Sequence, residues 1–183
     1  MFDRITPDDI IMAFFPCIYF CQASKVQMTY SNTNTRKLDY RGKTEKILER
    51  SRNRQYFYEL IIKLFCITHE RGLRMIVENP YSGLHYLLNE NFVEPPTMID
   101  RNRLLRGDFF KKPTMYWFVN CNPTNGLTIQ RDKEQKLIQK AKKGIAAGIC
   151  SEERSMISQD YARNFICDFL LGKEQTNTQL SLF

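Results

Sequence analysis

Two short segments carry side chains suited to covalent chemistry. Phe15-Pro16-Cys17 closes an apolar run that opens at Ile10, and Val77-Glu78-Asn79-Pro80 closes another that opens at Leu73. A thiol held in a tight loop near positive charge is drawn toward the thiolate, the form that attacks carbon. A partly desolvated carboxyl group beside it can give or take a proton as charge develops on a substrate. The plainer reading is that Cys17 is a small buried hydrophobe and that Glu-Asn-Pro ends a strand. The six cysteines (17, 21, 66, 121, 150 and 167) lie mostly in apolar stretches such as Leu64-Phe65-Cys66-Ile67, as reduced thiols do. Cys17 and Cys21 are the only close pair, and with His69 and His85 far off in sequence no metal site is expected. A thiol hydrolase would need one of those histidines as a base beside Cys17. His85 reads instead as a partly buried polar residue.

The elements around these residues decide whether they can meet. Residues 10–15 form an unbroken apolar run stopped by Pro16, which suits a strand buried on both faces. Residues 44–71 carry Ile47, Leu48, Phe57, Leu60, Ile61, Leu64, Phe65 and Thr68 at helical spacing, with Gly72 as the stop. Residues 73–77 form a second buried strand. Strand, long helix and strand make a right-handed crossover, whose two following loops emerge at the same edge of a parallel sheet. Cys17 and Glu78 are then expected at one edge. Further on, residues 81–88 predict a short helix, 116–119 a strand, 132–147 a basic helix, and Ser158 the cap of a final amphipathic helix closed by Gly172.

The ordered pair Pro16-Cys17 and Glu78-Asn79, each at a strand end with one long helix between, resembles the catalytic core of the cytosine-5 DNA methyltransferases, especially the short phage and mobile-element members. The resemblance implies that Cys17 attacks C6 of a flipped-out cytosine, that Glu78 serves N3, and that Asn79 organises the loop. It implies S-adenosylmethionine as methyl donor. Arg101-Asn102-Arg103 resembles the arginine pair that follows the Glu-Asn loop in that family, and 111–118 and 154–162 are similar to segments recurrent in its phage members. The fold expected is α/β: a partial Rossmann-like methyltransferase sheet, mostly parallel, with flanking helices, over residues 1–172. One feature departs from the family. The glycine-rich cofactor turn should precede the Pro-Cys loop, yet none of the sixteen residues before Cys17 is glycine. Either this is the C-terminal part of a larger enzyme, or a separate partner chain supplies the cofactor half, or methyl transfer is lost; the apolar edge left by the missing strands would favour a partner or a homodimer.

The chain has 183 residues and a formal charge of +7, and residues 101–154 hold 12 Lys/Arg against 5 Asp/Glu. That segment accounts for the whole excess, which is the footprint of a polyanion-binding surface. Arg101, Arg103, Arg106, Lys111 and Lys112 are its candidate DNA contacts. The composition, 43% hydrophobic with 8 Gly and 7 Pro, excludes disorder and collagen-like structure. No apolar run reaches a membrane span and no signal peptide is read, so a cytoplasmic protein is expected, and the resemblance to phage-type methylases implies a bacterial or phage-infected cell.

Residues 173–183 are read as a flexible tail, in which a polar stretch, 173–178, leads to Gln179-Leu180-Ser181-Leu182-Phe183. A leading amide with Leu and Phe anchors suits a preformed groove. The pentapeptide resembles the motif by which bacterial replication and repair proteins bind the sliding clamp. Two functions stand open: an enzyme completed by a cofactor-binding portion, or an inactive DNA-binding remnant that binds the clamp.

Overall fold

The computed structural model describes residues 2–21, 28–30, 32, 35–89, 93–126, 129–130 and 155–172. The basic helix expected at 132–147 and the terminal pentapeptide lie outside these residues. Within the span read as one domain, the chain forms two compact units: 1–99 with 114–122, and 100–113 with 123–183.

The first unit holds a four-stranded sheet of order β1-β2-β4-β3, with β1 at Ile10–Phe14, β2 at Arg74–Pro80, β3 at Met98–Asp100 and β4 at Thr114–Val119. Helix α1, Tyr40–Glu70, joins β1 to β2, and these two strands are parallel, with Ile10 beside Arg74 and Phe14 beside Glu78. A long crossover helix is what lets consecutive strands run the same way. Between β2 and β4 the only α-helix among the described residues is the four-residue α2, Tyr86–Asn89. β4 accordingly runs antiparallel to β2, with Glu78 beside Tyr116 and Met75 beside Val119. The sheet is therefore mixed, where a mostly parallel one is expected from sequence.

Burial on α1 is uneven along its length. Ile61, Leu64, Phe65 and Thr68 are buried, at spacings of three and four residues that place them on one face. They pack with Met75, Val77, Met115, Trp117 and Val119 of the sheet. Each such apolar side chain contributes about 1.5–3 kcal/mol before ordering costs. Leu48 and Leu60, expected on the inner face, are instead 48% and 42% exposed, so full burial is confined to the last third of the helix, with Phe57 and Tyr58 packed at its margin. The first turn rests on Asp39, which accepts from the Gly42 amide at 2.8 Å, a cap worth about 1 kcal/mol. The helix begins four residues before the apolar periodicity and ends as expected at Gly72, whose φ of 60° is left-handed. No described helix is long and apolar enough to cross a membrane.

β1 departs from its expected burial on both faces. Ile11 and Ala13 pack on the core, while Ile10, Met12 and Phe14 are 39%, 39% and 55% exposed. β1 is an edge strand, and an apolar run alone does not distinguish an edge from the interior of a sheet. β2 is buried from Met75 to Asn79, as expected, but it extends through Pro80, so Glu78 and Asn79 stand inside the strand and not in a loop beyond it.

In the second unit, Ser158 caps helix α3, Gln159–Ile166, by accepting from the Tyr161 amide at 3.1 Å. The helix runs on as a π turn, Cys167–Leu171, and stops at Gly172 with φ 59°.

Candidate active site

Backbone pairing brings the two sequence segments to one end of the sheet. Phe14 is the parallel partner of Glu78, and Cys17 follows three residues later, at the start of a 3-10 turn, Cys17–Tyr19, with Pro16 as its N-cap. The amides of Phe20 and Cys21 both donate to the Cys17 carbonyl, at 3.0 and 2.9 Å, which closes the turn tightly. Cys17 is in no disulfide and is of intermediate exposure, neither sealed in packing nor fully in solvent. Glu78 is buried to 8% exposure, with Phe14 beside it on one strand and Tyr116 on the other.

A second set of contacts ties the two segments together. The Asn79 side-chain amide donates to the Phe15 carbonyl at 3.3 Å, from β2 to the residue just before Pro16. Asn79 Oδ1 lies 2.9 Å from His85 Nε2, and the Leu87 amide donates to His85 Nδ1 at 3.3 Å. Because Nδ1 must accept, Nε2 carries the proton and donates to Asn79. The Tyr86 amide donates to the Phe20 carbonyl at 2.8 Å, and the Phe20 ring lies 6.3 Å from the His85 ring. The Cys17 turn, the end of β2 and the 85–87 segment thus form one hydrogen-bonded assembly. Asn79 and His85 are both fully buried. The sequence reading gave His85 no part in the assembly, because its partner lies across the Ser82-Gly83 turn and no local pattern marks it.

Burial pushes the His85 imidazole down to about 4. The neutral ring is what the assembly requires, since protonation of Nδ1 would displace the Leu87 amide. The unfolded imidazole titrates near 6.5, so the unfolded chain binds the extra proton between that pH and about 4. Stability from this residue is fully present above pH 6.5 and is lost as pH falls toward 4, by about 3 kcal/mol. Thermal unfolding followed from pH 7 to 4 should show wild type losing more stability than His85→Gln. Parallel losses in the two proteins would contradict the buried neutral ring.

Two other thiols are biased against attack. The Glu70 carboxylate raises the Cys66 pKa, and burial raises that of Cys121. Among the described residues no group of three or more His, Cys, Asp or Glu side chains is placed to hold a metal ion.

The expected DNA contacts all fall in the second unit and separate by environment. Arg101 and Lys111 are exposed and Lys112 is half-buried. Arg103 is fully buried, ion-paired through Nη2 to Asp108 Oδ2, with its guanidinium 4.2 Å from the Tyr161 ring centroid. Arg106 donates to Asp100 Oδ2 at 2.9 Å, approaches Asp168 Oδ2 at 3.4 Å and stacks on Phe169. Tyr161 donates its hydroxyl to the same Asp100 oxygen at 3.1 Å. Arg103 and Arg106 therefore direct their charge into this unit, not toward a phosphate. Sequence places their carboxylate partners five to 62 residues away, too scattered to be paired by inspection.

No family model, no curated protein and no solved structure matches the chain.

Proposed function

We propose that the chain carries the nucleophilic half of a DNA cytosine-5 methyltransferase. The observation that carries the reading is the parallel pairing of β1 and β2 across α1, with Asn79 bonded to the Phe15 carbonyl, which holds the Cys17 turn against the Glu78 end of the sheet.

In this reading Cys17 Sγ adds to C6 of a cytosine taken out of the stack. The C5–C6 electron pair moves into the ring, and Glu78 gives N3 its proton as charge arrives there. C5 then becomes nucleophilic and takes a proton from water; the hydroxide left behind removes the original C5 hydrogen, and the ring expels the Cys17 thiolate as N3 returns its proton to Glu78, releasing cytosine with its C5 hydrogen exchanged. Methylation at C5 needs a donor, S-adenosylmethionine in the resembled family, and the described residues do not fit it. The turn after β1 is Phe15-Pro16-Cys17, and Gly83 after β2 has open space where a side chain would stand, so neither turn is a cradle closed around a ligand. The donor site is assigned to a cofactor-binding partner chain. The same misfit favours the second reading, a DNA-binding methylase remnant without methyl transfer.

Exchange separates the two readings without a donor. A duplex library carrying deuterium at cytosine C5 should lose it to water in the presence of the chain. Retention of all the label would reject the catalytic reading and leave the remnant.

The tail Gln179-Leu180-Ser181-Leu182-Phe183 completes the proposal as a tether to the bacterial sliding clamp, in the cytoplasm of a bacterial or phage-infected cell. Deleting these five residues should abolish clamp binding in surface plasmon resonance while DNA affinity is unchanged. Equal clamp affinity after deletion would reject the tether.

A further inference from the structure

The first two thirds of α1, residues 40–60, stand largely outside the core and hold six Lys/Arg against three Asp/Glu, an excess hidden when the chain outside 101–154 is summed as one neutral body. Ion pairs among the described residues join Arg41 to Glu45 at 2.9 Å and Lys46 to Glu49 at 2.6 Å. Neither pair takes Lys43, Arg50 or Arg54, which are seven and four residues apart and so share one helical face over about 16 Å. That face leads to the Cys17 turn. Phe57, three residues past Arg54, stacks on Tyr19 at 5.2 Å, and Tyr58 meets the Tyr86 ring edge-on at 5.4 Å.

Aromatic rings hold two of the three cations. Lys43 Nζ sits 4.3 Å from the Tyr30 ring centroid, and the Arg54 guanidinium sits 4.5 Å from that of Tyr86. A ring orders a cation without cancelling its charge, so the positive field survives. An open cleft of about 510 Å³ runs beside this stripe, lined by Arg52, Arg54, Gln55, Tyr56 and Tyr86 together with Ser51 and the carboxylate of Glu59. Tyr56 is 63% exposed there and Tyr40, near the helix start, 73%. Fixed cations along a line, interleaved with exposed aromatic faces, suit a phosphodiester backbone and the bases it carries.

We propose that Lys43, Arg50 and Arg54 form a phosphate rail that guides the DNA strand into the Cys17 site. This rests on the reading of the chain as acting on DNA, and its failure is distinguishable from failure of the chemistry. The experiment measures fluorescence anisotropy of a labelled mixed-sequence duplex between 50 and 200 mM salt for wild type, K43Q/R50Q/R54Q and the charge-preserving K43R/R50K/R54K. Loss of three phosphate contacts should weaken binding about 10-fold or more at the lowest salt and flatten the log–log salt slope by about 2 to 3. The charge-preserving variant should bind as wild type does, which separates lost charge from lost fold. Wild-type affinity and slope in the glutamine variant would overturn the rail. So would a rail-dependent preference for RNA of the same sequence over DNA. Rail-dependent DNA binding with no cytosine exchange would keep the rail and reject the methylase chemistry.

Discussion

Cys17→Ser should reduce deuterium release from cytosine C5 to the background of duplex alone. The reason lies in the nucleophile: a serine hydroxyl is far less acidic than a thiol and needs a general base to attack. His85 is not that base, because its Nε2 proton is committed to Asn79 and its Nδ1 accepts from Leu87. Glu78→Gln should leave a remnant, lowered about 10²–10⁴-fold, since loss of a proton donor is smaller than loss of the attacking atom. Glutamine keeps the size of the side chain between Phe14 and Tyr116, so the fall should come without a matching loss of stability. Release that persists in Cys17→Ser would place the chemistry elsewhere.

The second large effect is structural. Arg103 and Asp108 are 0% and 1% exposed in side chain, and each is the other's counter-ion. Removing one leaves a buried, uncompensated charge, which costs about 3–5 kcal/mol, whereas replacing both with apolar residues of similar volume is close to neutral. Arg103→Met should therefore lose several kcal/mol, and Arg103→Met with Asp108→Leu should recover most of the loss. Hydrogen–deuterium exchange of residues 158–171 reads this unit by itself. Protection in Arg103→Met equal to wild type would show that the pair is not holding the unit, and would return Arg103 to the candidate DNA contacts.

The parts of this architecture legible in sequence were those with long periodic signals. The spacing of Ile61, Leu64, Phe65 and Thr68 gave the helix, Gly72 its end, and Ser158 the start of α3. From the helix followed the crossover, and from the crossover the nearness of the Cys17 and Glu78 segments. What stayed hidden depends on partners distant in sequence. β3 is three residues long and follows Pro95-Pro96, too short to show alternation. The direction of β4 is set by the lack of a long crossover before it, which single-strand patterns do not carry. Ile10, Met12 and Phe14 read the same whether a neighbouring strand covers them or not. Arg103 and Arg106 belong to a positively charged segment by count, and only the positions of Asp100, Asp108 and Asp168 turn them inward. The buried Asn79–His85 pair shows the same gap, since two polar residues six apart acquire a partner only once the turn between them is folded.

A covalent test goes straight to the sulfur. A duplex library with 2-pyrimidinone in place of cytosine offers a C6 more open to attack, and a thiol that adds there stays attached long enough for peptide mass analysis. Incubation with the chain should give one modified peptide, carrying the adduct on Cys17, in wild type and none in Cys17→Ser. No adduct on wild type, or one carried by Cys21 with Cys17 untouched, would contradict the assignment of the nucleophile.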